Sequence, residues 1–179
     1  MMTFEADVRK ALTALRKGEV ILYPTDTIWG LGCDAANSSA VEKIFRIKSR
    51  SESKSLIILV NGVEMLERYV RNVPGIAYEL TGVSESPLTI IYPEGKNLSP
   101  LVCGTDGSVA IRICNDDFCN EMITRFRKPV VSTSANISDK QFPSNYMEVD
   151  ETIINNVDYV VKHRQNDRRK CSPSPVIKI

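Results

Sequence analysis

The stretch Val20-Ile21-Leu22-Tyr23-Pro24-Thr25-Asp26-Thr27-Ile28-Trp29-Gly30-Leu31-Gly32 opens as a strand and turns, at a proline, into hydroxyls, a carboxylate and two glycines. Consecutive β-formers with no polar break fit a strand buried on both faces. Pro24 lacks the N–H that a ladder needs, so the chain leaves the sheet there. Residues 24–32 then read as a loop at a strand end, where sheet proteins carry ligand chemistry. Gly30 and Gly32 permit close backbone approach or positive φ. Thr25, Asp26 and Thr27 either meet a ligand or brace the turn through Asx and ST hydrogen bonds. Trp29, the sole tryptophan, reads as partly buried packing, with a pocket wall as the alternative.

A second segment shares this grammar. Pro129-Val130-Val131 feeds Ser132-Thr133-Ser134-Ala135-Asn136, whose polar groups can donate to a ligand or cap a following turn. Between the two segments, Lys48-Ser49-Arg50 and Lys54 form a cationic cluster offset only by Glu52. Cations at a helix C-terminus favour the macrodipole. Aimed at a ligand they suit phosphate, which Arg grips with a fork and Lys with a point charge. Arg112, inside the apolar run Val109–Ile113, needs a partner: Asp26, Asp106 or an anionic ligand group. Hydroxyls beside fixed cations suggest a site for an anionic, phosphorylated small molecule.

Around these segments, strands and helices interleave. Residues 3–17 form an amphipathic helix, with Thr3 as N-cap and Gly18 just past its end. Asn37 or Ser38 caps a second helix carrying Val41, Ile44 and Phe45. Strands are expected over residues 55–60, 88–92, 108–113, 159–161 and 175–179. Residues 63–82 read as helical with a break at Pro74, which can start a helix but not continue one. A helix over 116–126 is capped by Asn115 or Asp116, and 145–156 is weakly helical. Several connections are too short for a crossover helix, which argues against a purely parallel sheet. The fold class is therefore α/β (α+β): a single domain over residues 1–179, with a twisted mixed parallel and antiparallel sheet flanked by helices.

Composition removes several classes of function. With 23 Lys plus Arg against 22 Asp plus Glu, the net charge is +1, unlike proteins that live on nucleic-acid backbone. The basic run Lys162–Lys170 reads as a solvated loop. Five cysteines without a C-x-x-C pair and one histidine, His163, give no metal-ligand spacing, so no metal site is expected. Ser-His catalysis is disfavoured for the same reason, and there is no G-x-S-x-G elbow. Neither a G-x-x-x-x-G-K-[ST] loop nor a G-x-G-x-x-G fingerprint is present. Signal peptide and membrane span are not expected, and a cytoplasmic location is.

Read in order, these segments resemble the YrdC/TsaC family of threonylcarbamoyl-AMP synthases. The motif P-T-[DE]-T-x-[YW]-G-L is met by Pro24–Leu31, and K-x-R by Lys48 and Arg50. A basic-Pro-Leu element is matched by Lys54-Ser55-Leu56, with serine for proline. P-x-T corresponds to Pro87-Leu88-Thr89, V-A-x-R to Val109–Arg112, and S-x-N to Ser134 and Asn136. Two departures lie at Ser84-Glu85-Ser86 and Ser174-Pro175-Val176, on the expected rim of the pocket.

The resemblance implies a YrdC-like fold with a basic concave pocket. It also implies a nucleotidyltransferase that joins L-threonine, bicarbonate or CO2, and ATP into threonylcarbamoyl-AMP and pyrophosphate. The product would serve threonylcarbamoyl modification of adenosine 37 in tRNA through downstream tRNA-modification enzymes. Lys48 and Arg50 would be catalytic. Lys48, Arg50, Lys54, Thr89, Arg112, Ser134 and Asn136 would bind ATP with Mg2+, while Thr25, Thr27 and Ser132 would bind threonine or carbamate. The segments Pro24–Gly32 and Ser132–Asn136 would face each other across one pocket. Lys48→Ala and Arg50→Ala would abolish turnover at little cost in thermal stability. The rival readings are an RNA-binding module of the same fold and a carbamoyl-phosphate-dependent relative that forms carbamoyl-AMP.

Overall fold

The computed structural model describes residues 3–49 and 56–179. Arg50, Lys54 and Ser55 lie outside the described residues. Helix α1 (Phe4–Arg16) leads into β1 (Ile21–Tyr23) and β2 (Gly30–Gly32), followed by α2 (Ser38–Lys48) and β3 (Ile57–Val60). Two short helices, α3 (Val63–Tyr69) and α4 (Gly75–Val83), precede β4 (Thr89–Tyr92), β5 (Val109–Ile113), α5 (Asp117–Phe126) and β6 (Val130–Ser134). Helix α6 (Glu151–Asn156), β7 (Tyr159–Val160) and β8 (Val176–Lys178) complete the order, with 3-10 turns at Pro100–Val102 and Tyr146–Glu148.

The helix ends obey local chemistry. Thr3, Asn37 and Asp116 each accept a backbone N–H from the first turn of the helix they precede, satisfying donors the helix cannot use itself. Gly18 stands at φ 75°, where a Cβ would be strained. Pro74 divides α3 from α4, as expected of a residue that starts helices but cannot extend them.

The eight strands among the described residues join one mixed sheet in the order β7-β1-β2-β6-β3-β5-β4-β8. Three parallel pairs (β1 with β7, β3 with β5, β4 with β8) stand among four antiparallel ones, which confirms the expected mixed α/β class. α1 packs on α5, burying Val8, Ala11, Leu12 and Leu15 near Phe118, Met122 and Ile123. Burial of each of the larger of these side chains, Val8, Leu12 and Leu15, contributes about 1.5–3 kcal/mol. No helix among the described residues is long and apolar enough to cross a membrane.

Two sequence expectations change. Residues 30–32 are a strand rather than loop, held centrally between β1 and β6. Its glycines serve close approach, not positive φ. A Cβ on Gly32 would lie 2.5 Å from Tyr23 Cε1 and 2.8 Å from the Val131 carbonyl oxygen. The ladder of β6 also runs on through Ser134, so the polar run begins inside the sheet. Gly30 pairs with Ser134 and Leu31 with Thr133. The glycine end of the first segment therefore lies beside β6 as a neighbouring strand, while Thr25, Asp26 and Thr27 stand in the loop before it.

β7 and β8 sit at opposite edges of the sheet. Residues 161–175 must cross its full width, roughly 30 Å at normal strand spacing.

Candidate functional site

The loop after β1 is braced by a directional chain of hydrogen bonds. Thr25 Oγ1 donates to the Ile28 carbonyl at 2.8 Å and accepts the Thr27 N–H at 3.0 Å. Its proton being committed, the 3.1 Å contact between the two hydroxyls has Thr27 as donor. Thr27 Oγ1 in turn accepts from Arg112 Nη2 at 3.1 Å. The ST-turn reading of the tripeptide is therefore met, and all three residues also line a cavity.

Arg112 is the hub. Its Nη2 lies 3.0 Å from Asp26 Oδ1, both side chains being less than a tenth exposed. Of the two partners considered from sequence, Asp26 is the one found; Asp106 contacts Lys178 instead. Arg112 Nη1 donates to Ser174 Oγ at 3.1 Å, and Ser174 Oγ is 2.8 Å from Thr89 Oγ1. Thr89 and Arg112 are register partners across β4 and β5. The Asp26 carboxylate also accepts the Asn115 N–H at 3.3 Å, joining the start of α5 to the same network. The Asp26 contact is close but not aligned as a hydrogen bond, and Arg112 Nε has no hydrogen-bond partner among the described residues.

Beside this network opens a cavity of about 650 Å³, within the size range of small-molecule and cofactor sites. Thr25, Asp26 and Thr27 form one wall, Ile113–Asp116 another, and Ser84–Leu88 the rim. Both departures from the family motifs thus meet the site: Ser84-Glu85-Ser86 at its mouth and Ser174 behind Arg112. The described lining carries both signs of charge, Asp26, Glu85 and Asp116 with Arg164 and Arg169. A narrower recess adjoins it, sharing Thr25, Thr27, Arg164 and Arg169 and reaching Trp29. Trp29 is buried against Tyr146, ring centroids 4.9 Å apart, so it both packs and walls the recess.

Lys48 is only 1% exposed. Its ammonium donates to the carbonyls of Ser134 and, at 2.7 Å, Asn136, while its own carbonyl accepts the Ser138 N–H at 2.8 Å. The last residue of α2 is thereby fastened to the S-x-N turn. Lys48→Ala, which the sequence alone would leave nearly neutral for stability, is on this geometry expected to cost stability, because removal strands buried carbonyls. Ser132, Ser134, Asn136, Thr89 and Lys48 do not line the 650 Å³ cavity among its described residues.

Sequence reasoning missed Arg164 and Arg169. The run that carries them reads as solvated, yet both line the cavity and the recess. Arg164 pairs with Asp116, the α5 N-cap, at 2.7 Å. The signal in the sequence is faint: a run of polar residues between two short strands, with Asp167 the nearby carboxylate and Asp116 far off in the chain. Burial pushes the Cys119 thiol well up, with the neighbouring Cys114 reinforcing it. Cys119 stays a thiol, donating to the Pro24 carbonyl at 3.3 Å, and serves the loop's geometry rather than nucleophilic chemistry.

A family model described as Telomere recombination, that of the Sua5/YciO/YrdC proteins, matches residues 13–179. A protein of Psychromonas ingrahamii named Threonylcarbamoyl-AMP synthase is 34% identical over 155 residues, 85% of this chain and 81% of that protein. One of the same name from Vibrio cholerae is 33% identical over 170 residues, 93% of this chain and 90% of its own. The crystal structure of P. abyssi Sua5 complexed with L-threonine superposes at a TM-score of 0.88 and 26% identity, covering all of this chain and 52% of that one. The chain therefore spans about half the length of that relative. E. coli YciO shares the fold at a TM-score of 0.84 and 21% identity, covering 100% of this chain and 86% of that one.

Proposed function

The chain belongs to the Sua5/YciO/YrdC family, and from that premise we propose that it is a threonylcarbamoyl-AMP synthase. It would join L-threonine, bicarbonate or CO2, and ATP, releasing pyrophosphate and supplying the activated threonylcarbamoyl group for tRNA modification. The observation that carries this reading is the Thr25-Asp26-Thr27 loop, locked by Arg112 and set against a cavity of about 650 Å³. The threonine amine captures CO2 as a carbamate. A carbamate oxygen then attacks the α-phosphorus of ATP, and the bond to the pyrophosphate oxygen breaks. Negative charge gathers on phosphate oxygens, so positioning and fixed charge do most of the catalysis.

In this reading Thr25 and Thr27 form the threonine and carbamate side, with Ser132 supporting from the neighbouring strand. Arg112, Thr89, Ser134 and Asn136 contribute to the nucleotide side. Arg50 and Lys54 meet the phosphates, and Lys48 acts by fixing the Ser134–Asn136 turn with its charge. Mg2+ would enter with ATP as part of the substrate and would help to neutralise its phosphate charge. The location is cytoplasmic, where ATP and tRNA are available.

The test is pyrophosphate release from protein, ATP, bicarbonate and L-threonine. Release that requires threonine, and exceeds that with serine or no amino acid, supports the reading; its absence overturns it. Two further arms address the rivals. ATP cleavage that depends on carbamoyl phosphate and ignores threonine would favour the carbamoyl-transferring reading. Steeply salt-dependent RNA binding without amino-acid dependence would favour the RNA module.

A further inference from the structure

Arg164 stands at φ 63°, an unusual conformation for a side-chain-bearing residue, and lines both the main cavity and its recess. Its Nη2 meets Asp116 Oδ2 at 2.7 Å, but Nε and Nη2 are buried and make no aligned hydrogen bond among the described residues. A guanidinium has five N–H donors, and burying them unused is costly. Asn120 lies one helical turn beyond Asp116, its N–H donating to the Asp116 carbonyl at 2.8 Å. Asn120 also lines the cavity, and its Oδ1 is buried without a donor. The Arg164 side chain, 22% exposed and engaged by Asp116 through Nη2, thus brings a guanidinium to the lining of the cavity, and Asn120 an amide.

The segment bearing Arg164 is clamped by a residue far away in sequence. Asp7 on α1, 1% exposed, accepts the backbone N–H groups of Lys162 at 2.8 Å and His163 at 2.6 Å, and also the Tyr159 hydroxyl. Gln165 adds a bond from Nε2 to the Val161 carbonyl at 2.8 Å. His163 stacks on Phe118 at 5.7 Å. Residues on both sides of Arg164 are therefore pinned, which is what a strained backbone position needs in order to persist.

We propose that Arg164 is the oxyanion anchor of this cavity and that Asp7 is the residue that positions it. The ligand class is an oxyanion, carboxylate or phosphoryl. The choice of threonine and pyrophosphate as probes rests on the synthase reading.

The experiment titrates L-threonine, L-threoninol and inorganic pyrophosphate calorimetrically into wild type, Arg164→Gln, Arg164→Lys, Asp7→Asn and the Asp7→Asn/Arg164→Gln double variant. Thermal melting of each reports folding. Arg164→Gln is expected to weaken one oxyanion about tenfold, the usual scale for a lost charge-assisted contact. Loss for threonine, with threoninol weak on every variant, identifies the carboxylate; loss for pyrophosphate identifies the phosphoryl group. Arg164→Lys, which keeps the charge beside Asp116 but not the fork, recovers part of the affinity. Asp7→Asn weakens the same ligand in the wild type and adds nothing in the Arg164→Gln background, a non-additivity that general destabilisation does not produce. Equal binding of both oxyanions by wild type and Arg164→Gln, no binding by wild type, or an additive Asp7→Asn effect would overturn the proposal. Arg164-dependent binding without threonine-dependent pyrophosphate release would sink the synthase reading and leave this one standing.

Discussion

Arg112 on β5 and Asp26 in the loop after β1 form a buried ion pair, Nη2 to Oδ1 at 3.0 Å, that ties the loop to the central sheet. Removing one partner leaves the other charge buried and alone. Arg112→Met is expected to cost about 3–5 kcal/mol, read as a fall in the urea midpoint. Adding Asp26→Asn should return part of that loss, because the stranded charge is then gone. Arg112→Lys should not rescue activity, since one ammonium cannot reach Asp26, Thr27 and Ser174 together. A double variant no more stable than Arg112→Met would count against the pair as the source of the cost.

Lys48→Met should lower both stability and turnover. The ammonium satisfies the carbonyls of Ser134 and Asn136, and losing it costs about 1–3 kcal/mol. Chemical denaturation checks the first effect and pyrophosphate release the second. Unchanged stability would mean that water replaces the ammonium without penalty.

Gly32→Ala and Gly30→Ala separate two degrees of crowding in one strand. At Gly32 a new Cβ meets Tyr23 Cε1 at 2.5 Å and the Val131 carbonyl at 2.8 Å; at Gly30 the nearest atoms stand at 3.2 and 3.3 Å. Gly32→Ala is expected to cost about 3 kcal/mol and Gly30→Ala about 1 kcal/mol. Comparison of their melting temperatures tests the order.

His163 supplies a pH dependence with a definite sign. Burial, and then the charge of Arg164, hold its pKa below the ordinary 6.5. The unfolded chain therefore binds the proton more readily than the folded one. Its contribution is complete above about pH 6.5 and is lost as the pH falls toward the lower folded value. Denaturation midpoints of wild type should drop in that window, and His163→Phe should flatten that part of the profile. An identical slope in the variant would assign the effect to carboxylates.

Local chemistry made much of the framework legible from sequence. The caps at Thr3, Asn37 and Asp116, the break at Pro74 and the buried runs of β1, β3 and β5 all follow from residue type at close range. β2 was hidden because Gly30-Leu31-Gly32 has almost no strand propensity; its neighbours' demand for a side-chain-free strand makes it one. The candidate site divided in the same way. Thr25, Asp26, Thr27 and Arg112 stood out as polar groups at strand ends or inside apolar runs. Arg164 did not, because Asp7 and Asp116, which place it, lie far off in the chain and only the fold brings them near.

The two strands that finish the sheet, β7 against β1 and β8 against β4, both come from residues 159–178. Until those residues have been synthesised, β1 and β4 each present an unpaired ladder, and such raw edges invite pairing with other chains. The nascent protein thus carries two open seams at once, both sealed by the same late piece of polypeptide. Contacts spanning so much sequence also slow folding. Expression should accordingly depend on chaperones that shield strand edges during synthesis, and deletion of residues 159–178 should yield aggregate rather than a smaller soluble protein.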